Sequence, residues 1–240
     1  MSEQIATARE WLRTAQTLAV LTGAGISAES GLPTFRGPNG LWRNHRPEQL
    51  ATPQAFARDP QMVWEWYDWR RSVHAGKEPN AGHRALAELE RRATEFLLVT
   101  QNVDSLHERA GSRAIVHLHG SLWRVRCVAC GEEQTNEQVP LDPLPPRCGC
   151  GAMQRPAVVW FGEQLPQREF AAAVSAARQA EVFLVVGTSS LVYPAAALPR
   201  IALESGARVI EVNPEATELT PSAHASLRGL AGELLPELIS

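Results

Sequence analysis

Residues 17 to 31 run Thr17-Leu18-Ala19-Val20-Leu21-Thr22-Gly23-Ala24-Gly25-Ile26-Ser27-Ala28-Glu29-Ser30-Gly31. The first six carry no charge and are mostly aliphatic, which predicts a strand covered on both faces. The Gly23-Ala24-Gly25 turn leads into a helical segment, an arrangement that lets backbone N–H groups and a helix start meet a pyrophosphate. The third glycine of the usual fingerprint is missing from its place, and glycine after a strand also makes a plain turn. On these residues alone both readings stand.

Working outward, residues 95–100, 114–118, 157–160, 181–187 and 207–212 also read as short apolar strands. Helical periodicity falls between them at 3–16, 61–75, 80–92 and 167–180, the third started by Asn80 as an N-cap after Pro79. This alternation predicts an α/β fold, a doubly wound, Rossmann-like parallel sheet with helices on both faces. Residues 31–60, with Pro33, Pro38 and Pro47, have no clean period and read as a long ordered loop over the sheet edge. There is no internal repeat.

A chain of 240 residues makes one large domain, or a main domain with an insertion. Hydrophobic residues at 44%, charged residues at 20%, and 17 Gly and 17 Pro at scattered positions exclude collagen, coiled coil and disorder. The balance of 23 basic against 26 acidic residues gives a net charge of −3 without a basic block, which speaks against nucleic acid as the main partner. The apolar run from Leu18 is too short to span a bilayer, and Glu3 and Glu10 do not suit a secretion signal, so the expected place is the cytoplasm, away from membranes.

All four cysteines fall in one stretch, Cys127-Val128-Ala129-Cys130 and Cys148-Gly149-Cys150. Two close pairs joined by a loop can bring four thiolates to the corners of a tetrahedron, which suits one structural Zn2+ with no open position. Two disulfides, or unrelated reduced thiols, are the alternatives. The segment 124–155 is too small to bury a core of its own, so a metal there would hold an inserted module together. The division expected is 1–123 and 156–240 for the main domain and 124–155 for the module, with the helical stretch 45–80 packing as part of the smaller lobe.

Two more polar clusters stand where the carboxyl edge of the sheet should lie: Thr100-Gln101-Asn102-Val103-Asp104, and Gly187-Thr188-Ser189-Ser190. Asn102 and Asp104 could equally cap the next helix, and Gly187 could simply end a strand. A ligand lying across the edge would touch all three glycine and polar clusters.

The stretches Gly23-Ala24-Gly25-Ile26-Ser27, Thr34-Phe35-Arg36-Gly37, Thr100-Gln101-Asn102-Val103-Asp104, His119-Gly120, the four-cysteine segment and Val158-Val159-Trp160-Phe161-Gly162-Glu163 together resemble the sirtuins. The likeness continues through Val186-Gly187-Thr188-Ser189, Val192-Tyr193-Pro194 and Glu211-Val212-Asn213-Pro214, over nearly the whole chain. It implies an enzyme that consumes NAD to remove acyl groups from protein lysine, releasing nicotinamide, an O-acyl-ADP-ribose and the free lysine. In such enzymes the acyl-lysine carbonyl oxygen attacks the ribose carbon bearing nicotinamide, and a histidine takes a proton from the ribose hydroxyls. His119 matches that base, and an imidazole with a pKa of about 6.5 suits the task. His117 sits two residues earlier and shares its face if the strand persists. The resemblance further implies that Gln101, Asn102 and Asp104 hold nicotinamide and its ribose, and that Gly23, Ala24, Gly25 and Ile26 reach the phosphates. Arg36 would add a charged contact there, with Phe35 as a shield against water or else plain core. Gly187, Thr188, Ser189, Asn213, Pro214, Glu215 and Ala231 would serve the ribose and adenine end.

The same likeness places an acylated peptide as a strand between Val159, Phe161, Gly162 and Glu163 on one side and Leu191-Val192-Tyr193 on the other. On the helix at 61–75, Tyr67 and Arg70 stand at i and i+3, a phenol beside a guanidinium, which suits a carboxylate. This Tyr-x-x-Arg pattern resembles the class III sirtuins, whose substrates are succinyl-, malonyl- or glutaryl-lysine. An aromatic core helix with an arginine snorkelling at its edge is the other reading. The partners implied are acylated proteins or peptides, and the chain is expected to act as a monomer. A plain deacetylase, a mono-ADP-ribosyltransferase and a non-catalytic NAD sensor are the alternatives.

Overall fold

The structure is a computed structural model and describes residues 3–34 and 47–240. In chain order the strands are β1 (Thr17–Thr22), β2 (Glu95–Thr100), β3 (Ile115–His117), β4 (Gly120–Cys127), β5 (Glu133–Thr135), β6 (Gln154–Val158), β7 (Val182–Val186), β8 (Arg208–Val212) and β9 (Ala225–Leu227). The larger sheet is six-stranded in the order β3-β2-β1-β7-β8-β9, and every neighbouring pair is parallel. Numbered among themselves these strands run 3-2-1-4-5-6, the doubly wound order, with its switch point between β1 and β7.

The helices are α1 (Glu3–Thr14), α2 (Pro47–Leu50), α3 (Pro53–Arg58), α4 (Pro60–His74), α5 (Ala81–Arg92), α6 (Leu106–Ala110), α7 (Gln167–Gln179), α8 (Leu198–Glu204) and α9 (Ala231–Ile239). Side chains alternate along a strand, so each buried strand feeds two cores. In β1, Leu18 and Val20 join the core under α1, α5 and α9, with Leu12, Leu86 and Leu235. Ala19 and Leu21 join the core on the other face, with Ala173 and Ala177 of α7 and Leu198 of α8. Small alanines on α7 and α8 let those helices approach the sheet closely.

A third core lies apart from these two. Trp64, Trp66 and Tyr67 of α4 pack there with Phe56, Val103, Leu122, Val125, Leu141, Val158 and Trp160. Its sheet is small and antiparallel, in the order β5-β4-β6. Two expectations are corrected here. The apolar run at 157–160 does not enter the parallel sheet: β6 pairs antiparallel with β4, and the sixth parallel strand is β9. The stretch 31–60 is not a loop throughout, since α2 and α3 occupy its second half, α3 being capped by Thr52, whose hydroxyl accepts the Ala55 N–H at 3.1 Å. Among the described residues no helix is long and apolar enough to cross a membrane.

Candidate active site

The loops that follow β1, β2, β7 and β8 meet at the carboxyl edge of the parallel sheet, across the switch point. There the glycine turn is laced to β7. Gly23 N–H donates to the Val186 carbonyl at 3.0 Å and Gly25 N–H to the Gly187 carbonyl at 2.8 Å. A Cβ on Gly25 would lie 2.7 Å from both Cα and O of Gly187, and Gly187 itself has φ +61°. Only glycine fits such an approach. Both N–H groups are thus held by the end of β7 and the residue after it. What the glycines supply is closeness between two loops.

Polar side chains converge on this seam. Gln101 Nε2 donates to Thr188 Oγ1 at 3.0 Å, and Asn213 Nδ2 to the Thr188 carbonyl at 2.9 Å. Asn102 Nδ2 donates to the Gly23 carbonyl at 3.1 Å, and Ser27 Oγ donates to Asp104 Oδ2 at 3.0 Å. Asp104 also accepts the Leu106 N–H at 3.0 Å at the start of α6, whose N-cap position is Ser105. Burial raises the Asp104 carboxyl above the usual range, against the pull of those two hydrogen bonds. Ser190 Oγ is buried at the same edge without a hydrogen-bond partner. Ala24 and Ser189 are half-buried in the glycine and β7 loops, and Ile26 is fully buried behind them. Pro214 and Glu215 are exposed after β8, where Arg228 Nη1 donates to the Glu215 carbonyl at 3.0 Å. Ala231 is buried as the first residue of α9. Phe35 and Arg36 lie outside the described residues.

Beneath this edge lies a polar layer that the sequence reading missed. Ser27 Oγ is 3.4 Å from His83 Nε2, Thr22 Oγ1 is 3.0 Å from His107 Nε2, and the two imidazoles meet edge-on with centroids 4.9 Å apart. Burial pushes His83 down to about 4 and His107 well below its ordinary value, so both rings are neutral near pH 7. Ser27 ends the quoted glycine stretch, which was the one local signal for it; His83 and His107 had none.

His119 follows β3 and is half-buried, with Nδ1 3.0 Å from the Gln101 carbonyl. A carbonyl only accepts, so Nδ1 carries the hydrogen and Nε2 keeps its lone pair. Burial lowers its pKa, opposed by that hydrogen bond. His117 has a different partner, with Nε2 2.7 Å from Glu108 Oε1. Although burial works against its charged form, the Glu108 carboxylate raises it above 6.5. The glycine after His119 has its own reason: Gly120 has φ +77°, and a Cβ there would lie 2.1 Å from the Ala157 carbonyl. That close approach lets β4 pass β6 directly after the histidine, whose carbonyl accepts Val159 N–H at 3.0 Å.

The loop after β2 faces both ways, for Val103 belongs to the third core while Asn102 and Asp104 belong to the glycine seam. On the Val103 side, Tyr67 and Arg70 are 2% and 4% exposed. The Arg70 guanidinium carbon lies 4.9 Å from the Trp66 ring centroid and 5.6 Å from that of Tyr67. Burial draws Arg70 below its ordinary pKa, with Tyr67 and Asp104 acting the other way, and burial raises the Tyr67 phenol. The other side of α4 grips the segment after β5. Arg71 Nη1 donates to the Leu122 carbonyl at 2.9 Å and Nη2 to Asn136 Oδ1 at 2.9 Å, and Leu141 N–H donates to Asp68 Oδ1 at 2.8 Å.

Beyond it, Cys127, Cys130, Cys148 and Cys150 bring four Sγ atoms within 4.8 Å of one another, none in a disulfide. Cys127 and Cys150 are 3.5 Å apart at sulfur, Cys130 and Cys148 3.7 Å. A tetrahedron with metal–sulfur bonds of about 2.3 Å has edges of about 3.8 Å, so the donor set suits one closed, structural zinc.

Phe161, Leu191, Val192 and Tyr193 form an exposed apolar rim, Tyr193 being 76% exposed. A recess of about 420 Å³ between their two segments is lined by Glu163, Leu165, Phe170 and Pro194. The Glu163 side chain turns inward, taking Arg155 Nη1 at 2.6 Å and Trp160 N–H at 2.8 Å, while Gly162 beside it is exposed and Val159 half-buried.

Residues 23–194 match the model of the Sir2 family. The NAD-dependent protein deacylase 2 of Pyrobaculum aerophilum is 56% identical over 229 residues, covering 95% of this chain and 92% of that protein. The NAD-dependent protein deacylase of Aquifex aeolicus is 56% identical over 207 residues, covering 86% and 87%. A solved Sir2 homologue in complex with NAD superposes with a TM-score of 0.92 at 51% identity, covering 98% of this chain and 92% of that one. The chain belongs to the Sir2 family.

Proposed function

We propose that this Sir2-family chain is an NAD-dependent protein-lysine deacylase that removes succinyl and malonyl groups, and acetyl groups less well. The relatives named for deacylation, at 56% identity over most of the chain, support the reaction class. The buried Tyr67–Arg70 pair supports the acyl preference. We assign the NAD site to residues 1–123 and 156–240 and the metal module to 124–155.

The glycine cradle and the converging amides of Gln101, Asn102 and Asn213 fit a dinucleotide laid over the switch point. NAD supplies the electrophilic ribose carbon and takes up the acyl group. Gln101, Asn102 and Asp104 would hold the nicotinamide half, with Gly187, Thr188, Ser189, Asn213, Pro214, Glu215 and Ala231 toward adenine. His119 is the base: Nε2 has the free lone pair, and a neutral ring is secured by burial. The exposed rim of Phe161 and Val192 would pair with the backbone of the substrate as an added strand.

A guanidinium buried among rings has lost most of its hydration. A carboxylate brought beside it would accept charge-assisted hydrogen bonds, which an acetyl methyl group cannot do. Succinyl-lysine should therefore be the better substrate. Matched succinyl- and acetyl-lysine peptides incubated with and without NAD, followed by mass spectrometry, test this. NAD-dependent loss of succinyl ahead of acetyl is expected; acetyl removal alone would keep the enzyme class and reject the carboxylate receptor.

A further inference from the structure

Trp160 closes the far side of the Tyr67 hydroxyl. Its indole Nε1 donates to Tyr67 Oη at 2.9 Å, in a buried contact between residues 93 apart in sequence. The indole is contacted on two sides, and the backbone that carries it is held as well. The Arg155 guanidinium carbon lies 3.4 Å from the ring centroid, the Phe56 ring is at 5.3 Å, and the Trp160 backbone N–H is held by Glu163. Glu163 in turn pairs with Arg155 at 2.6 Å.

An indole N–H is a donor with no acceptor lone pair, and so is a guanidinium. Facing Trp160, the Tyr67 oxygen must accept, and the Arg70 guanidinium also bears on that oxygen by charge and hydrogen bonding. With donor-only groups against its lone pairs, the hydroxyl hydrogen is left to point at an acceptor. Were the indole absent, the side of the oxygen that it now occupies would be open, and the hydroxyl hydrogen would have a second direction to take.

We infer that Trp160 is a specificity-determining positioning residue, whose indole N–H commits the Tyr67 hydroxyl to donate to the carboxylate of an anionic acyl group beside Arg70. The inference rests on the carboxylate-receptor reading of Tyr67 and Arg70 given above. It gives Trp160 a part in selecting the acyl group, separate from the peptide contacts proposed for Phe161, Gly162 and Glu163.

The test is a double-mutant cycle on matched succinyl and acetyl peptides. Trp160→Phe should raise KM for the succinyl peptide about tenfold, the scale of one lost hydrogen bond to a charged group, with kcat and the acetyl KM changed less than about twofold. In a Tyr67→Phe background the same substitution should cost less than about twofold further, because the hydroxyl it directs is gone. Site-specific replacement of Trp160 by benzothienylalanine, which keeps the ring shape and lacks the N–H, should repeat the effect of Trp160→Phe and covers the case in which that variant folds poorly. Equal losses on both peptides, or an undiminished cost of Trp160→Phe in the Tyr67→Phe background, would reduce Trp160 to packing. Arg70→Met, measured in parallel, separates the two claims. If it abolishes succinyl preference while both Trp160 replacements leave that preference intact, this inference alone fails. If the unmodified enzyme shows no succinyl preference, the carboxylate reading fails and takes this one with it.

Discussion

At the carboxyl edge of the parallel sheet a close backbone contact between two loops sets the places of the polar groups; around α4 a guanidinium lies among aromatic rings and side chains set the places. The edge is a contact between Gly25 and Gly187 at which no Cβ fits, over a layer of histidines held neutral by burial. The α4 cluster is a set of side chains on one helix, braced by Trp160 from the antiparallel region and by Arg71 and Asp68 against the segment after β5. A site made by backbone contact tolerates almost no change. A site made by side chains on a rigid helix can be changed without moving the chain, so in the function proposed above the first region would fix the cofactor and the second would choose the acyl group.

The strongest way to break this contrast is Gly25→Ala. A Cβ 2.7 Å from the Gly187 backbone must push the two loops apart, so NAD affinity should fall by about a hundredfold or more in a titration. Normal affinity in that variant would mean that the cradle is not the cofactor site. Next, His119→Ala should lower kcat by about a thousandfold with peptide and NAD binding kept, as expected for a lost general base. A loss below tenfold would move the base elsewhere.

The contrast also accounts for what the sequence made legible. β1 and its glycine turn were readable because a charge-free strand followed by glycine carries its information locally. β9 was not, since Ala225–Leu227 has three residues and a serine at its centre. The run at 157–160 reads in hydropathy like a parallel strand, because a buried antiparallel strand and a parallel one look alike there. The commitment of the Gly23 and Gly25 N–H groups to β7, and the bond from Trp160 to Tyr67, join residues about 90 to 160 apart, and no local pattern marks them. Tyr67 and Arg70 were visible because helical spacing is local, while what surrounds them was not.

Metal removal should separate the two regions in a second way. Stripping the four-cysteine site with a chelator should loosen the segment gripped by Arg71 and Asp68, seen as faster amide exchange between residues 120 and 158 and in α4. Acylated-peptide affinity should fall about tenfold, with NAD affinity at the sheet edge changed less than about threefold. Equal losses at both sites would show that the two regions are one cooperative unit. The smallest effect concerns pH. His119 is held below 6.5, and a base works when deprotonated, so activity should persist at pH 6.5 and fall only as the pH drops through that lowered value. An acid limb centred above 6.5 would contradict the burial that keeps the ring neutral.

The most direct test of the central claim is the ratio of kcat/KM for matched succinyl and acetyl peptides in the unmodified enzyme and in Arg70→Met. The account predicts that the ratio favours succinyl and drops by about a hundredfold in the variant, a loss of about 2.7 kcal/mol confined to the anionic substrate, with the acetyl value nearly unchanged. Equal losses on both peptides would contradict it, since Arg70 would then hold the fold of α4 and not the substrate.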